Sequence, residues 1–239
     1  MSESRVDDSR RRARGVQSGA ARAAVLGIND GLVTNVALIL GVAGAQTSVG
    51  FVRLAGLASL VAGACSMAVG EYVSMAAQVE LLQQLLAEYR AAIRRDPELA
   101  RQDIEEFIAR AGVQQATAHN ASQQISGVPG HALAVYARSL GLDPDELGSP
   151  WKAAGSSLVT FAVGAAVPLI PWFVVRDGGT PAAIVSIALA AVMSLTIGGA
   201  LGWMSGRRPV WPALRQLLIV ALAAGVTWAV GRFFHVNAT

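Results

Sequence analysis

The sequence predicts an all-α membrane protein with five transmembrane helices and a cytoplasmic three-helix insert between the second and third. Three observations predict it. Of 239 residues, 53% are hydrophobic and only 15% are charged, where a soluble domain carries about 25% charged residues. The missing charge is absent from five long stretches rather than thinned evenly, the pattern expected of spans of about 20 apolar residues. The basic residues raise the isoelectric point to about 9.6, yet they flank those stretches instead of forming a nucleic-acid surface, so they signal topology.

Residues 1–22 form a polar arm with Arg5, Arg10, Arg11, Arg12, Arg14 and Arg22. No short apolar core with a small-residue cleavage site follows, so the arm is expected at the lipid headgroups and not as a cleaved signal. The spans are predicted near 24–46, 53–76, 156–175, 181–204 and 213–234. All are rich in Gly and Ala, which lets helix backbones approach closely in lipid. Gly56, Gly63 and Gly70 recur every seven residues and offer a smooth face to a neighbour. Pro168 and Pro171 in the third span break its hydrogen-bond ladder and predict a kink. The chain thus divides into a basic arm (1–22), spans one and two (23–76), the insert (77–155) and spans three to five (156–239).

The insert reads as helices. Gln78–Arg95 continues the second span without a breaker, and Asp96-Pro97 stops it. Pro97 suits the first turn of a new helix, which ends near Ala111 because Gly112 is a C-cap residue. A further helix is predicted from His131 to Ser139, ending at Gly141. The stretch Gln114–Gly130 fits a short helix or a loop.

Charge sets the orientation. With the N-terminus cytoplasmic, 16 of the 19 Lys and Arg residues lie inside, and Arg53, Arg176 and Arg232 lie outside. This predicts a cytoplasmic insert and an external C-terminus, in a bacterial-type plasma membrane.

Of 16 acidic residues, only Asp30 and Glu71 fall within spans. A charge at the bilayer centre costs about 3 kcal/mol on insertion scales, so such residues mark functional sites. Asp30 lies between Asn29 and Gly31, with Thr34 and Asn35 one turn on. Glu71 shares a helix face with Met67 and Met75, four residues to either side. Carboxylate, thioether and amide oxygen together suit a divalent transition ion better than sodium or calcium. Two plainer readings stand beside this one: Asp30 capping or snorkelling at the interface, and Glu71 in an interfacial ion pair.

The remaining chemistry-bearing residues suggest nothing further. Cys65 is the lone cysteine and reads as a small buried apolar residue. His119, His131 and His235 lack metal-ligand spacing. There is no phosphate loop, nucleophile elbow, cofactor motif or ligand set for a catalytic metal, so an enzyme is not expected and no cofactor is implied.

DGLVTNVALILGVAGA in the first span, GACSMAVGEYVSMAAQ in the second and AVPLIPW in the third resemble the vacuolar iron transporter family. The resemblance implies transport of ferrous iron, often manganese, out of the cytoplasm in exchange for protons. It also implies five spans, a cytoplasmic helical insert, and a homodimer with its pore at the subunit interface. By motif position, Asp30 matches the family's first-span pathway aspartate, Met67 its second-span methionine, and Glu71 the glutamate of a Gly-Glu-Tyr motif. Asn29, Asn35 and Met75 are weaker pathway candidates.

The chain also departs from the family. Ser59 stands where some members carry a further glutamate. In the insert, the metal-binding positions fall on Tyr89, Ala92, Ala100, Asp103, Val135 and Ser139, so only Asp103 keeps a carboxylate. Asp103 and Glu106 share a face and are the insert's candidate ligands; Glu80, Gln84 and Glu88 share another. The depleted insert leaves a second class open, a non-transporting membrane scaffold or sensor. A transporter of another small cation is a third possibility, which Met67 argues against.

Overall fold

The computed structural model describes residues 19–139, 148–175, 179–206 and 208–234. The basic arm before Gly19, Arg176, Arg207, the Gly141 helix end, His235 and the side chains of Arg22, Ala100 and Ser139 lie outside that description. The described residues are helical throughout, with no strand. In order the helices are α1 (Gly19–Gly44), α2 (Val49–Arg95), α3 (Pro97–Arg110), α4 (Gln115–Ser126), α5 (Pro129–Ser139), α6 (Pro150–Leu169), α7 (Pro171–Val174), α8 (Gly179–Met204) and α9 (Val210–Phe234). Five of them, α1, α2, α6, α8 and α9, are long and apolar enough to cross a membrane. The chain is an integral membrane protein.

Two compact units result. One comprises the residues up to Val73 and those from Pro150 on; the other is Ser74–Ser149.

In the first unit α1 is the hub, packing on α6, α8 and α9. Its seam with α6 is made of glycine. A Cβ at Gly31 would overlap the Phe161 carbonyl, and one at Gly164 would overlap the Ile28 carbonyl. Gly27 lies equally close, with Ser157 O 2.9 Å from a built Cβ. Leu32, Val36 and Leu40 cover the other side of α1, against Ala190 of α8 and Val220 of α9.

The third span begins at Pro150, six residues before the start that hydropathy predicts. Pro150 fits the first helical position. Trp151, 74% exposed, and Lys152 give an amphipathic first turn that an apolar window misses. The predicted break is present: α6 ends at Leu169 and α7 starts at Pro171. Side chains from three other spans bond to the carbonyls around it. Asn35 Nδ2 donates to Ala165 O at 2.6 Å, Ser186 Oγ to Pro168 O at 2.6 Å and Arg53 Nε to Trp172 O at 2.5 Å. Irregular backbone persists at membrane depth only with such partners.

Within this unit α2 touches its neighbours through few residues. Gly56 sits against Leu169 and Ile39, and Gly63 against the Phe161 ring, whereas Gly70 has nothing within 4 Å of a built Cβ. The seven-residue glycine face is therefore used at two of its three positions.

In the second unit, Leu82, Leu86 and Tyr89 pack against Leu133 and Ala137. Asp96 caps α3, accepting from Glu98 N at 3.2 Å and Leu99 N at 3.1 Å. Gly112, at φ +90°, ends that helix in the left-handed conformation that glycine adopts without strain. The ambiguous stretch after it is mostly the helix α4. Its link to α3 includes a polar cluster. Arg101 binds Glu98 one turn back, Glu105 Oε2 at 2.8 Å one turn on and Ser122 Oγ at 3.4 Å. His119 Nδ1 lies 2.9 Å from Glu105 Oε2. The bond from Arg101 holds the Glu98 carboxylate below its ordinary value. Glu105 is lowered mainly by His119, with Arg101 adding to it.

Two outcomes follow from these contacts. Gly31→Ala drives a methyl into a backbone carbonyl and lowers stability by about 1–3 kcal/mol. Gly199→Ala, with nothing within 4 Å, is neutral or slightly stabilising; heat-challenged size exclusion in detergent reads both. Because Glu98 and Glu105 are depressed, their stabilisation is complete above the ordinary carboxylate value of 4.5. It is lost as pH falls through the lower folded values. Amide exchange in α3 and α4 should therefore stay protected at pH 6 and accelerate below about 4.5, and Arg101→Met should weaken that acid dependence.

Candidate metal pathway

Asp30 is half-buried on α1, and Thr34 Oγ1 donates to its Oδ1 at 3.2 Å. Helix geometry explains its setting. At 100° per residue, Gly27, Gly31 and Asn35 point at α6, while Leu32, Val36 and Leu40 point at α8 and α9. Asp30 and Thr34 occupy the arc that neither side covers, together with Leu26, which is 49% exposed. The carboxylate is thus presented from the central helix without an ion-pair partner among the described residues.

The neighbouring amides point elsewhere. Asn35 is fully buried, and its Nδ2 is engaged by Ala165 O. Its Oδ1 has no protein partner, but it lies on the α6 side of the helix, well away from the Asp30 arc. Asn29 Oδ1 accepts from Gln216 Nε2 of α9. Gln216 is a residue that sequence reading passed over. A Gln next to Arg215 in a mostly apolar span was the available signal, and it is buried to 9% exposure.

Met67 is half-buried on α2 and packs on the cluster of Ala64, Phe161 and Ala165. Glu71, one turn on, is half-buried as well, and the next residue, Tyr72, stacks on Trp151 with ring centroids 4.7 Å apart. Among the described residues no hydrogen bond or ion pair joins Asp30 to Glu71, and no three His, Cys, Asp or Glu side chains converge on one ion position. Within one copy, Met67 lies on α6 while Asp30 lies on the uncovered arc of α1.

The other candidates are in the second unit. Met75 is buried there, its Sδ 2.8 Å from a Cβ built at Gly148. Asp103 is exposed, and Glu106 is exposed and ion-paired with Arg110. Of the Glu80, Gln84 and Glu88 face, Gln84 Nε2 donates to Glu88 Oε1 at 2.9 Å. An open groove of about 540 Å³ lies between the C-terminal halves of α1 and α9, lined by Leu38, Gly41, Phe51 and Val230 among others. Its apolar wall offers an ion no ligand.

These features can be set beside known proteins. Residues 21–232 match the model of the VIT family. The chain is 32% identical over 215 residues to vacuolar iron transporter homolog 1 of Arabidopsis thaliana, covering 88% of this chain and 82% of that protein. It is 34% identical over 219 residues to vacuolar iron transporter homolog 1 of Oryza sativa subsp. japonica, covering 90% and 74%. Vacuolar iron transporter 1 of Eucalyptus grandis is 26% identical over 231 residues, covering 96% and 92%. The match runs through all five membrane helices, including the two whose sequences carry no distinctive motif. The chain belongs to the VIT family.

Proposed function

We propose that the protein is a transporter, not an enzyme, that moves Fe²⁺, and Mn²⁺ by the same chemistry, out of the cytoplasm. The observation that carries this is Asp30: a carboxylate on the central helix, on the arc that α6, α8 and α9 leave uncovered, in a chain whose relatives are named iron transporters. A carboxylate at that depth attracts a cation strongly because little water screens it.

Met67 and Glu71 complete the reading. The thioether contributes little to hard ions and so biases the path toward transition metals. Glu71 takes the ion, or a proton, near the cytoplasmic mouth. Proton antiport is the coupling that the family resemblance implies. Because α6, α8 and α9 leave the Asp30 arc uncovered, the reading places the path between two copies of the chain, a homodimer. That arrangement would also cover the outward side chains of α2, among them Leu54, Val61 and Val69. Topology follows the charge count: insert cytoplasmic, C-terminus outside, in the plasma membrane. The insert contributes at most a weak site, since Asp103 is exposed and Glu106 already pairs with Arg110.

Flux into proteoliposomes tests the reading. Purified protein should take up Fe²⁺ and Mn²⁺, faster with a proton gradient of opposite direction. Asp30→Ala should lower that flux by about tenfold or more, since even outer-shell partners of metal sites are worth about tenfold. Met67→Ala should retain part of the flux and lose discrimination against Mg²⁺. Well-folded protein that moves no divalent ion would leave the scaffold reading in its place.

A further inference from the structure

We propose that Gln216 is a positioning residue, whose amide holds Asn29 Oδ1, fixes the rotation of α1 and so sets the direction in which Asp30 faces. The proposal rests on the transport reading for its consequence, though not for its geometry.

Gln216 and Val220 are the buried residues of α9 among those described. The rest of that helix is predominantly apolar and outward-facing, so a buried Gln needs a reason. Its stem is fixed by α8: a Cβ built at Gly198 would lie 2.9 Å from Gln216 Cβ. The amide at its end reaches α1, where it donates to Asn29 Oδ1.

The bond matters because of where it acts. Glycine surfaces are smooth, and the α1–α6 seam at Gly27, Gly31 and Gly164 fixes how close the helices come better than it fixes their rotation. Apolar contacts of Leu32, Val36 and Leu40 are likewise non-directional. A hydrogen bond is directional. Asn29 directly precedes Asp30, so pinning Asn29 toward α9 points Asp30 about 100° further around the helix, onto the uncovered arc. Farther along the same two helices, Thr227 Oγ1 donates to Ala37 O at 2.7 Å. That second fastening engages backbone and holds the C-terminal half, and Asn35 Nδ2 to Ala165 O fastens the α6 side; among the described residues the Asn29–Gln216 bond is the interhelical one at the residue next to Asp30.

The test reads orientation and transport separately. The native thiol, Cys65, is exposed, so Cys65→Ser is the background. In it, Asp30→Cys is labelled with a water-soluble methanethiosulfonate reagent, with and without Gln216→Leu. The labelling rate should change by about threefold, the scale of one interhelical amide bond in lipid. The reciprocal exchange Asn29→Gln with Gln216→Asn keeps the combined side-chain length and should restore the rate. With Asp30 intact, Gln216→Leu should raise the KM for Fe²⁺ by a similar factor at unchanged Vmax, and the exchange should restore it.

An unchanged labelling rate overturns the proposal, even if Vmax falls, because that pattern marks a merely structural residue. A changed rate that the exchange fails to restore overturns it too. If wild-type protein moves no metal, the transport reading falls and the labelling arm alone decides the role of Gln216.

Discussion

The closeness of α1 and α6 rests on a lattice of small residues. Where Gly27 and Gly31 meet the Ser157 and Phe161 carbonyls and Gly164 meets that of Ile28, the two backbones touch, and a side chain there would displace a helix. In lipid this closeness is the main attraction between helices, because acyl chains are as apolar as leucine and burial alone gives no preference for protein. Dispersion between tightly matched surfaces takes its place. Once α1 is locked on α6, the remaining contacts have a fixed platform. Asn35 reaches Ala165 O, α8 and α9 close over Leu32 and Val36, and the Asp30 arc is left uncovered.

The broken third span depends on the same platform. Pro168 and Pro171 remove two backbone donors in the middle of a helix that water does not reach. Around the break, Asn35, Ser186 and Arg53 arrive from three other spans and bond to the carbonyls of Ala165, Pro168 and Trp172. Arg53 has a second role there, with its guanidinium 5.5 Å from the Phe173 ring centroid, a cation–π distance. An arginine that looks like a loose topology signal in the sequence is thus an anchor for α7.

Much of this was legible in the sequence, because lipid imposes a strict code. Long apolar runs had to be helices, Pro168 and Pro171 had to interrupt one, and Asp96-Pro97 with Gly112 had to bound α3. The start of α6 was misjudged because Trp151 and Lys152 are interface residues that hydropathy scores as polar. The stretch Gln115–Ser126 has no strong periodicity. It becomes a helix through Arg101, Glu105 and His119, a tertiary cause that local pattern cannot show. At the candidate site, costly charge identified Asp30 and Glu71, but spacing could not show that Asn29 and Asn35 point away from Asp30 toward different helices. Nor could it find Gln216, whose partner lies 187 residues earlier.

That separation has a consequence for biogenesis. The chain enters the membrane as it is synthesised, and α1 enters first. Its glycine seam can form when α6 emerges, about 130 residues after Asn35. Asn29 must wait for Gln216, and at 5–20 residues per second the interval is roughly ten to forty seconds. During it, Asn29 and Asp30 lie in or near lipid without their final neighbours, in a helix already committed to the bilayer. Assembly therefore runs in two stages. The apolar scaffold comes first, and the polar contact that aims the carboxylate is made last, by the final helix to arrive.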